Sequence, residues 1–139
     1  MRRSPLKRTP FRGARSAPMK RTRLRRTNPE RLARLRREQF GPEAEWLMTL
    51  DCCTCQRRAP STPSHVKSRG SGGLRHQQIP QCWQCHAELE ATGWRLFEEG
   101  MGIDLLSLAA EYADAFEHLP VETRRDFERK MEARIARMR

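Results

Sequence analysis

The spacing of apolar residues predicts a mostly helical chain with one extended region near its middle. Apolar residues recur at helical intervals in ERLARLRREQF, and the Gly41-Pro42 pair that follows is expected to end this helix. A second, short helix is predicted over residues 43–50, in EAEWLMTL. We interpret residues 29–50 as a helical lead-in to the cysteine-rich stretch after them.

Two longer amphipathic helices are predicted near the C-terminus, over residues 103–119 and, after Pro120, over residues 121–139. Each has an apolar stripe among charged residues, which is typical of a packing face. The stripes consist of Leu105, Leu108, Ala109, Tyr112 and Phe116 in the first helix, and of Phe127, Met131, Ile135 and Met138 in the second.

The middle of the chain, residues 56–81, is rich in Pro, Ser, Gly and Arg, and extended segments are predicted around residues 64–67 and 77–80. A helix is expected over residues 82–93, with Gly93 as its C-cap. Three nearby aromatic residues are expected to lie in the core rather than to stack on bases: Trp83, Trp94 and Phe97. These elements predict a small α+β fold.

Five cysteines form two clusters. Cys52 with Cys55 gives C-x2-C, and Cys82 with Cys85 gives a second such pair after 26 intervening residues. Two C-x2-C turns supply the four thiolates of a structural zinc site, which is our interpretation. Two disulfides are the alternative, although nothing else in the sequence indicates an oxidising compartment. The spacing also allows Cys53 to replace Cys52 as a ligand or to remain a free thiol.

The excess positive charge of the chain lies in its first 28 residues. They hold 11 of the 28 lysines and arginines and no acid, whereas the remaining 17 cations balance 17 acids. We expect residues 1–28 to be a disordered arm that binds nucleic-acid phosphates. A solubilising tail or a targeting segment is the alternative. PLKRTPFR and PMKRTRLR repeat within the arm, and their adjacent cations are Lys7, Arg8, Lys20 and Arg21.

Two segments of the chain carry a resemblance to a known family. PSHVKSRGSGG and QQIPQCWQCHAELEATGWRLFEEGMGIDL resemble the HNH (His-Asn-His) nucleases of the ββα-metal fold, most closely the phage and bacterial branch related to the RecA-dependent Ref nuclease. The resemblance covers roughly residues 52–106. It implies a zinc-stapled ββα-metal core over residues 51–106, with C-terminal helices over residues 107–139.

The resemblance also implies a metal-dependent endonuclease that hydrolyses phosphodiester bonds in DNA. His65 matches the general base, and a neutral imidazole suits proton abstraction at pH 7. His86 and Glu90 match the ligands of a catalytic Mg²⁺, Mn²⁺ or Zn²⁺ ion. Lys67 and Arg69 would bind the phosphates on either side.

The chain departs from the family pattern at three positions. Ser64 precedes the base where the family often has a metal ligand, and Glu90 stands where a histidine is common. Gln77 or Gln78 replaces the central Asn, and we expect Gln77 to take that role. A zinc-stabilised DNA-binding or adaptor module with a degenerate site is therefore the alternative function. A zinc ribbon of an RNA-bound assembly is a third.

The resemblance further implies DNA as the partner, together with a recombinase filament on that DNA. It places the protein in the cytoplasm of a bacterial or phage-infected cell. No apolar run approaches the length of a membrane span, so no membrane partner is expected.

Overall fold

The computed structural model describes residues 28–68, 70 and 73–138. The described residues form a small α+β fold with a two-stranded antiparallel sheet. Arg69 and the arm cations Lys7, Arg8, Lys20 and Arg21 lie outside this part of the chain. The elements are α1 (Pro29–Gln39), α2 (Gly41–Leu47), β1 (Thr62–His65), β2 (Gln78–Gln81), α3 (Trp83–Thr92), α4 (Trp94–Met101), α5 (Leu105–Glu117) and α6 (Val121–Arg137).

Helix α1 begins and ends at residues that favour those positions. The side chain of Asn28 accepts a hydrogen bond from the N–H of Glu30 at 2.9 Å, and Pro29 follows it at the start of the helix. Gly41 adopts a φ of 65°, which a residue with a side chain rarely adopts, and α2 begins there. The Gly41-Pro42 pair therefore redirects the chain into a second helix immediately after the first.

The sheet separates a core face from an open face. β1 pairs with β2 so that Ser64 lies opposite Ile79 and His65 lies opposite Gln78. Ser64 and Ile79 are fully buried, whereas Pro63 and His65 line a surface cleft. Side chains alternate between the two faces of a strand, so the residue before His65 points to the core.

The main core lies between the sheet and helices α3 to α5. It contains buried side chains from each of these elements, namely Val66, Ile79, Leu89, Phe97, Leu105 and Ala109. A second cluster, formed by Ala33, Met131 and Ile135, packs α1 against α6. The predicted packing stripes are thereby confirmed in their central residues, although Met138 at the end of the chain is 44% exposed.

Two expectations about the region after the second cysteine pair were wrong or incomplete. Trp83 does not belong to the core, because its side chain is 67% exposed. Phe97 is buried as expected, and Trp94 is half-buried against the core. Helix α4 was not anticipated: Gly93, at a φ of 85°, ends α3 and turns the chain directly into another helix.

Two buried carboxylates connect α2 to distant parts of the chain. The carboxylate of Glu43 accepts bonds from Nε of Arg75 at 2.8 and 3.0 Å, and the carboxylate of Glu45 is paired with Arg134. Burial of a carboxylate is costly unless the charge is paired and hydrogen-bonded. The carboxylates of Glu43 and Glu45 meet both conditions. These pairs fix α2 to the segment before β2 and to α6.

No helix in the described part of the chain is long and apolar enough to cross a membrane.

We expect Gly41→Ala to lower the free energy of unfolding by about 1–3 kcal/mol. A Cβ at position 41 would lie 2.1 Å from Nε of Arg75, and the φ of 65° would be strained as well. The new methyl group would push the guanidinium away from the buried carboxylate of Glu43. Chemical denaturation of the zinc-loaded protein measures the change.

Gly100→Ala is the matched control, since position 100 in α4 has open space around a new Cβ. We expect it to leave stability unchanged or to raise it by up to about 1 kcal/mol, because alanine favours a helix over glycine. Equal stability of the two variants would contradict the role given to Gly41.

Candidate functional site

The four predicted zinc ligands form one cluster. The Sγ atoms of Cys52, Cys55, Cys82 and Cys85 all lie within 4.8 Å of one another, and none of the five cysteines is in a disulfide. The sulfurs of Cys55 and Cys82 are 3.6 Å apart. Four sulfurs at about 2.3 Å from a tetrahedral zinc would be separated by about 3.8 Å. The cluster therefore has the chemistry and the dimensions to hold a structural metal such as zinc.

The first cysteine pair lies in a tight turn. Backbone N–H groups are directed at the sulfur of its first member, Cys52. The N–H of Cys52 donates to the carbonyl of Arg57 at 2.8 Å, and Gln56 adopts a φ of 60° within the turn. Burial raises the pKa of Cys52, but the N–H groups of Cys55, Cys82 and Thr54 outweigh it and lower that pKa to about 6. The turn thus favours the thiolate, which is the form that binds metal.

The second cysteine pair begins helix α3. Cys82 is the residue before the helix, and the N–H of His86 donates to its carbonyl at 3.0 Å. The N–H of Cys85 is directed at the sulfur of Cys82 and lowers the pKa of that thiol. Both turns therefore stabilise the thiolate of their first cysteine in the same way.

Cys53 is the cysteine that stays outside the cluster. Its N–H donates to the carbonyl of Pro80 at 2.9 Å, and its side chain packs against the main core. Burial raises the pKa of the Cys53 thiol to about 11. The geometry therefore selects Cys52 rather than Cys53 as the fourth member, a choice that the spacing had left open.

A cleft of about 640 Å³ brings three of the predicted site residues to one surface. It lies between the end of α1, strand β1 and helix α3. His65, His86 and Glu90 line it, together with Trp94. The residues proposed as base and metal ligands therefore border a common space large enough for part of a polymer strand.

The orientation of His65 is set by the end of α1. Its Nε2 lies 2.7 Å from the carbonyl oxygen of Gln39, and its ring makes an edge contact with Phe40, with centroids 4.9 Å apart. A carbonyl only accepts hydrogen bonds, so Nε2 carries the hydrogen. In the neutral ring the lone pair is then on Nδ1, the form of histidine that can accept a proton.

His86 and Glu90 form a pair of possible metal ligands on α3. The Thr62 hydroxyl donates to the carbonyl of Gln81 at 2.8 Å, so its oxygen can only accept from Nδ1 of His86, 3.4 Å away. Nε2 of His86 lies 3.3 Å from the carboxylate of Glu90, a distance that fits a hydrogen bond from a protonated Nε2 and also fits a cation held between the two groups.

The spacing of this pair matches a shared metal ion. Two ligand atoms at about 2.1 Å from one ion are separated by about 3.0–3.4 Å. Among the described residues, however, the four cysteines are the one group of three or more histidine, cysteine or acidic side chains that converges. His65 does not join His86 and Glu90 as a third ligand, and the pair would hold an ion with other positions open.

The two glutamines before and in β2 have different roles. Gln77 accepts from the N–H of Leu74 at 3.3 Å and does not line the cleft. Gln78 is buried, and its Nε2 donates to the carbonyls of Phe40 at 2.9 Å and of Arg75 at 2.6 Å. Gln78 rather than Gln77 therefore fixes the end of α1, which in turn orients His65.

Ser64 supplies no ligand to the cleft, because it is fully buried on the core face of β1. A histidine at position 64 would enter the core instead of completing a metal site. Sequence reasoning also missed Gln39 and Thr62. Gln39 acts through its carbonyl, which every residue has, and Thr62 acts across 24 residues, so neither left a signal in the sequence.

Comparisons of the chain with protein-family models, with curated proteins and with solved structures found no match. The fold and the cleft geometry are therefore the basis on which a function has to be inferred.

We expect the purified protein to contain one tightly held zinc per chain and to unfold when a chelator removes it. Structural zinc contributes about 10–16 kcal/mol in small domains, and this chain has a modest core. Cys55→Ser and Cys82→Ser should each abolish zinc retention and the cooperative unfolding transition. Elemental analysis together with thermal denaturation tests this.

Cys53→Ser is the control for these variants, since it removes a thiol next to the cluster without removing a ligand. It should retain a full equivalent of zinc, with only a modest loss of stability from the altered core contact. Loss of zinc in this variant, or two disulfides in place of zinc, would contradict the site.

Proposed function

We propose that the protein is a small metal-dependent endonuclease of HNH type that hydrolyses phosphodiester bonds in DNA. The observation that carries the proposal is that His65, His86 and Glu90 line one cleft, where Nε2 of His65 donates to the carbonyl of Gln39. The chain order β1, β2, α3 also agrees with a ββα arrangement. The 11 cations before residue 28 supply the affinity for a polyanion.

In this mechanism His65 acts as the general base. The neutral ring of His65 accepts a proton from a water molecule in the cleft, and the resulting hydroxide attacks phosphorus in line with the leaving oxygen. The carbonyl of Gln39 stabilises the imidazolium that forms, because it already accepts a bond from Nε2. The bond from phosphorus to the leaving oxygen breaks, and that oxygen takes up a proton from solvent.

His86 and Glu90 would hold the catalytic ion. A divalent cation there would neutralise charge that develops on the phosphate and the leaving oxygen. The carboxylate of Glu90 suits Mg²⁺ or Mn²⁺, and Mg²⁺ is often held by few protein groups because it keeps several waters. The imidazole of His86 suits Zn²⁺ better than Mg²⁺, which prefers oxygen ligands. The side chain of Glu90 is 74% exposed, so water and phosphate oxygens have access to the remaining positions.

A second function, a DNA-binding or adaptor module without catalysis, is favoured by one observation. Ser64 points into the core, so among the described residues the cleft offers two possible ligands, His86 and Glu90, and no third. Without metal, these two side chains form a direct pair at 3.3 Å. The two functions differ in whether any divalent ion produces nicking of DNA.

We expect His65→Ala to reduce plasmid nicking by about 10²–10⁴-fold, the usual cost of losing a general base. Zinc content and DNA affinity should be unchanged, since the base acts in the transition state. His86→Ala should be as severe, and an excess of Mn²⁺ should partly restore it by mass action. Nicking is measured on zinc-loaded protein with added Mg²⁺ or Mn²⁺.

His118→Ala serves as the control, because His118 is an exposed histidine at the end of α5. It should nick DNA at the wild-type rate. If the wild-type protein fails to cut DNA with every divalent ion tested, the nuclease is excluded and the adaptor remains.

Deletion of residues 1–27 should remove most of the salt dependence of DNA binding. The deletion takes away 11 cations and retains Asn28, which caps α1. An arm that contacts six or more phosphates predicts about a 10³-fold loss of affinity between 50 and 200 mM salt. Fluorescence anisotropy over a salt series, with thermal denaturation to verify folding, tests this. An unchanged salt slope would show that the arm is not the DNA contact.

A further inference from the structure

We propose that helix α3 forms a binding track for a single, unpaired DNA strand. The track runs from Trp94, with Lys67 and Arg95, past His86 and Glu90 to the exposed Trp83. The inference rests on the proposed function and specifies its substrate as single-stranded or locally unpaired DNA.

The exposure of Trp83 on the helix that carries His86 and Glu90 is the first observation. Its side chain is 67% exposed, although tryptophan is usually well buried in a small domain. Trp83, His86 and Glu90 are spaced by three and four residues, so they lie along one face of α3. Trp83 and Glu90 are about 10 Å apart along the helix axis, which is the length of about three stacked nucleotides.

Trp83 lies in a part of the chain that the cysteine cluster holds. Trp83 follows Cys82 directly, and the sulfur of Cys82 is 3.6 Å from that of Cys55. The exposed residues Arg57 and Arg58 follow Cys55 in the chain, while the carboxylate of Asp51 accepts from the N–H of Ala59 at 2.8 Å. Exposed aromatic rings and cations are the groups that bind single strands by stacking and phosphate contact.

Trp94 and two cations form the other end of the track. Trp94 lines the cleft and packs against the main core, which fixes its ring. Nζ of Lys67 lies 5.4 Å from the ring centroid, and Cζ of Arg95 lies 5.2 Å from it. The ring therefore holds both cationic groups beside the cleft by cation–π contact. This places two cations, which can bind phosphates, against the ring of Trp94 in the cleft wall, and it adds Arg95 to the candidate track.

The aromatic groups favour an unpaired strand over an intact duplex. Bases in a duplex are stacked on one another, so no base face is open to an indole ring, and the protein meets phosphates first. An unpaired strand presents base faces and phosphates together. Trp83 would then stack on a base about one to three nucleotides from the phosphate that lies at His86 and Glu90.

The test compares binding to a single-stranded oligonucleotide with binding to the duplex of the same sequence. Zinc-loaded full-length protein is titrated without Mg²⁺ or Mn²⁺, so that binding is measured independently of cleavage. Trp83→Leu keeps apolar bulk but removes the aromatic face. We expect it to weaken single-strand binding by about 5- to 100-fold, the effect of losing one stacked base, and to leave duplex binding unchanged. Trp83→Phe should retain most of the single-strand affinity.

The cationic end is tested with Arg95→Gln, and Arg125→Gln on α6 is its control. Arg95→Gln should weaken binding to both nucleic acids and reduce the salt slope by about one unit. Arg125→Gln should change neither the affinity nor the salt slope. Arg125 is paired with Glu122 within α6, a helix that does not belong to the track.

Each outcome supports or overturns the inference. If Trp83→Leu binds the single strand like the wild type, or loses affinity equally for strand and duplex, the track is wrong. Unchanged DNA binding is also the result expected if Trp83 instead docks another protein. If the Trp83 effect is seen but no ion produces cleavage, the track stands and the nuclease does not. If DNA is cut and Trp83→Leu binds normally, the nuclease stands and the track does not.

Discussion

The four-cysteine cluster is the constraint on which the rest of the structure depends. It joins the turn at Cys52 and Cys55 to the first turn of α3 and thereby closes a polar segment of 26 residues. That segment contributes few apolar side chains to the core, so its own burial cannot offset the entropy of ordering it. A metal held by the four thiolates would supply this stabilisation in one place. Both strands of the sheet lie within this closed segment, and the cleft lies beside the first of them.

The cluster also determines what α3 presents to solvent. Because Cys82 and Cys85 must both point at the sulfur cluster, the rotation of the helix about its axis is fixed. His86 and Glu90 are then turned to the side where β1 passes, and Thr62 of β1 contacts the ring of His86. On the side of the cleft formed by α1, the last residue of that helix, Gln39, holds His65 through its carbonyl. The candidate base on β1 is thus oriented by the end of α1, whereas the candidate ligands are turned by the cysteine cluster and contacted by β1.

Much of this arrangement could be predicted from the sequence, because local signals carry it. Gly93 ends α3 as expected, and the apolar stripes of α5 and α6 give the packing faces. What failed was decided by contacts between distant residues. Adjacent cysteines look equivalent in a sequence, and only the turn geometry shows that Cys53 faces the core. Trp83 was assigned to the core by residue type, yet its place between two cysteines of the cluster turns it to solvent. Gln78 contacts the end of α1 across 38 residues, which no local pattern indicates.

The separation of charge along the chain gives the proposed function a physical basis. Residues 29–139 hold equal numbers of cationic and acidic residues, so the folded part has little general attraction for a polyanion. The cationic arm joins the fold at Asn28, and α1 spans 11 residues, about 16 Å, from that point to the contact with His65. Under the proposed function, a strand held by the arm would be kept at a high effective concentration near the cleft. Affinity would then reside mainly in the arm, and the folded part, whose charges balance, could select by shape and stacking.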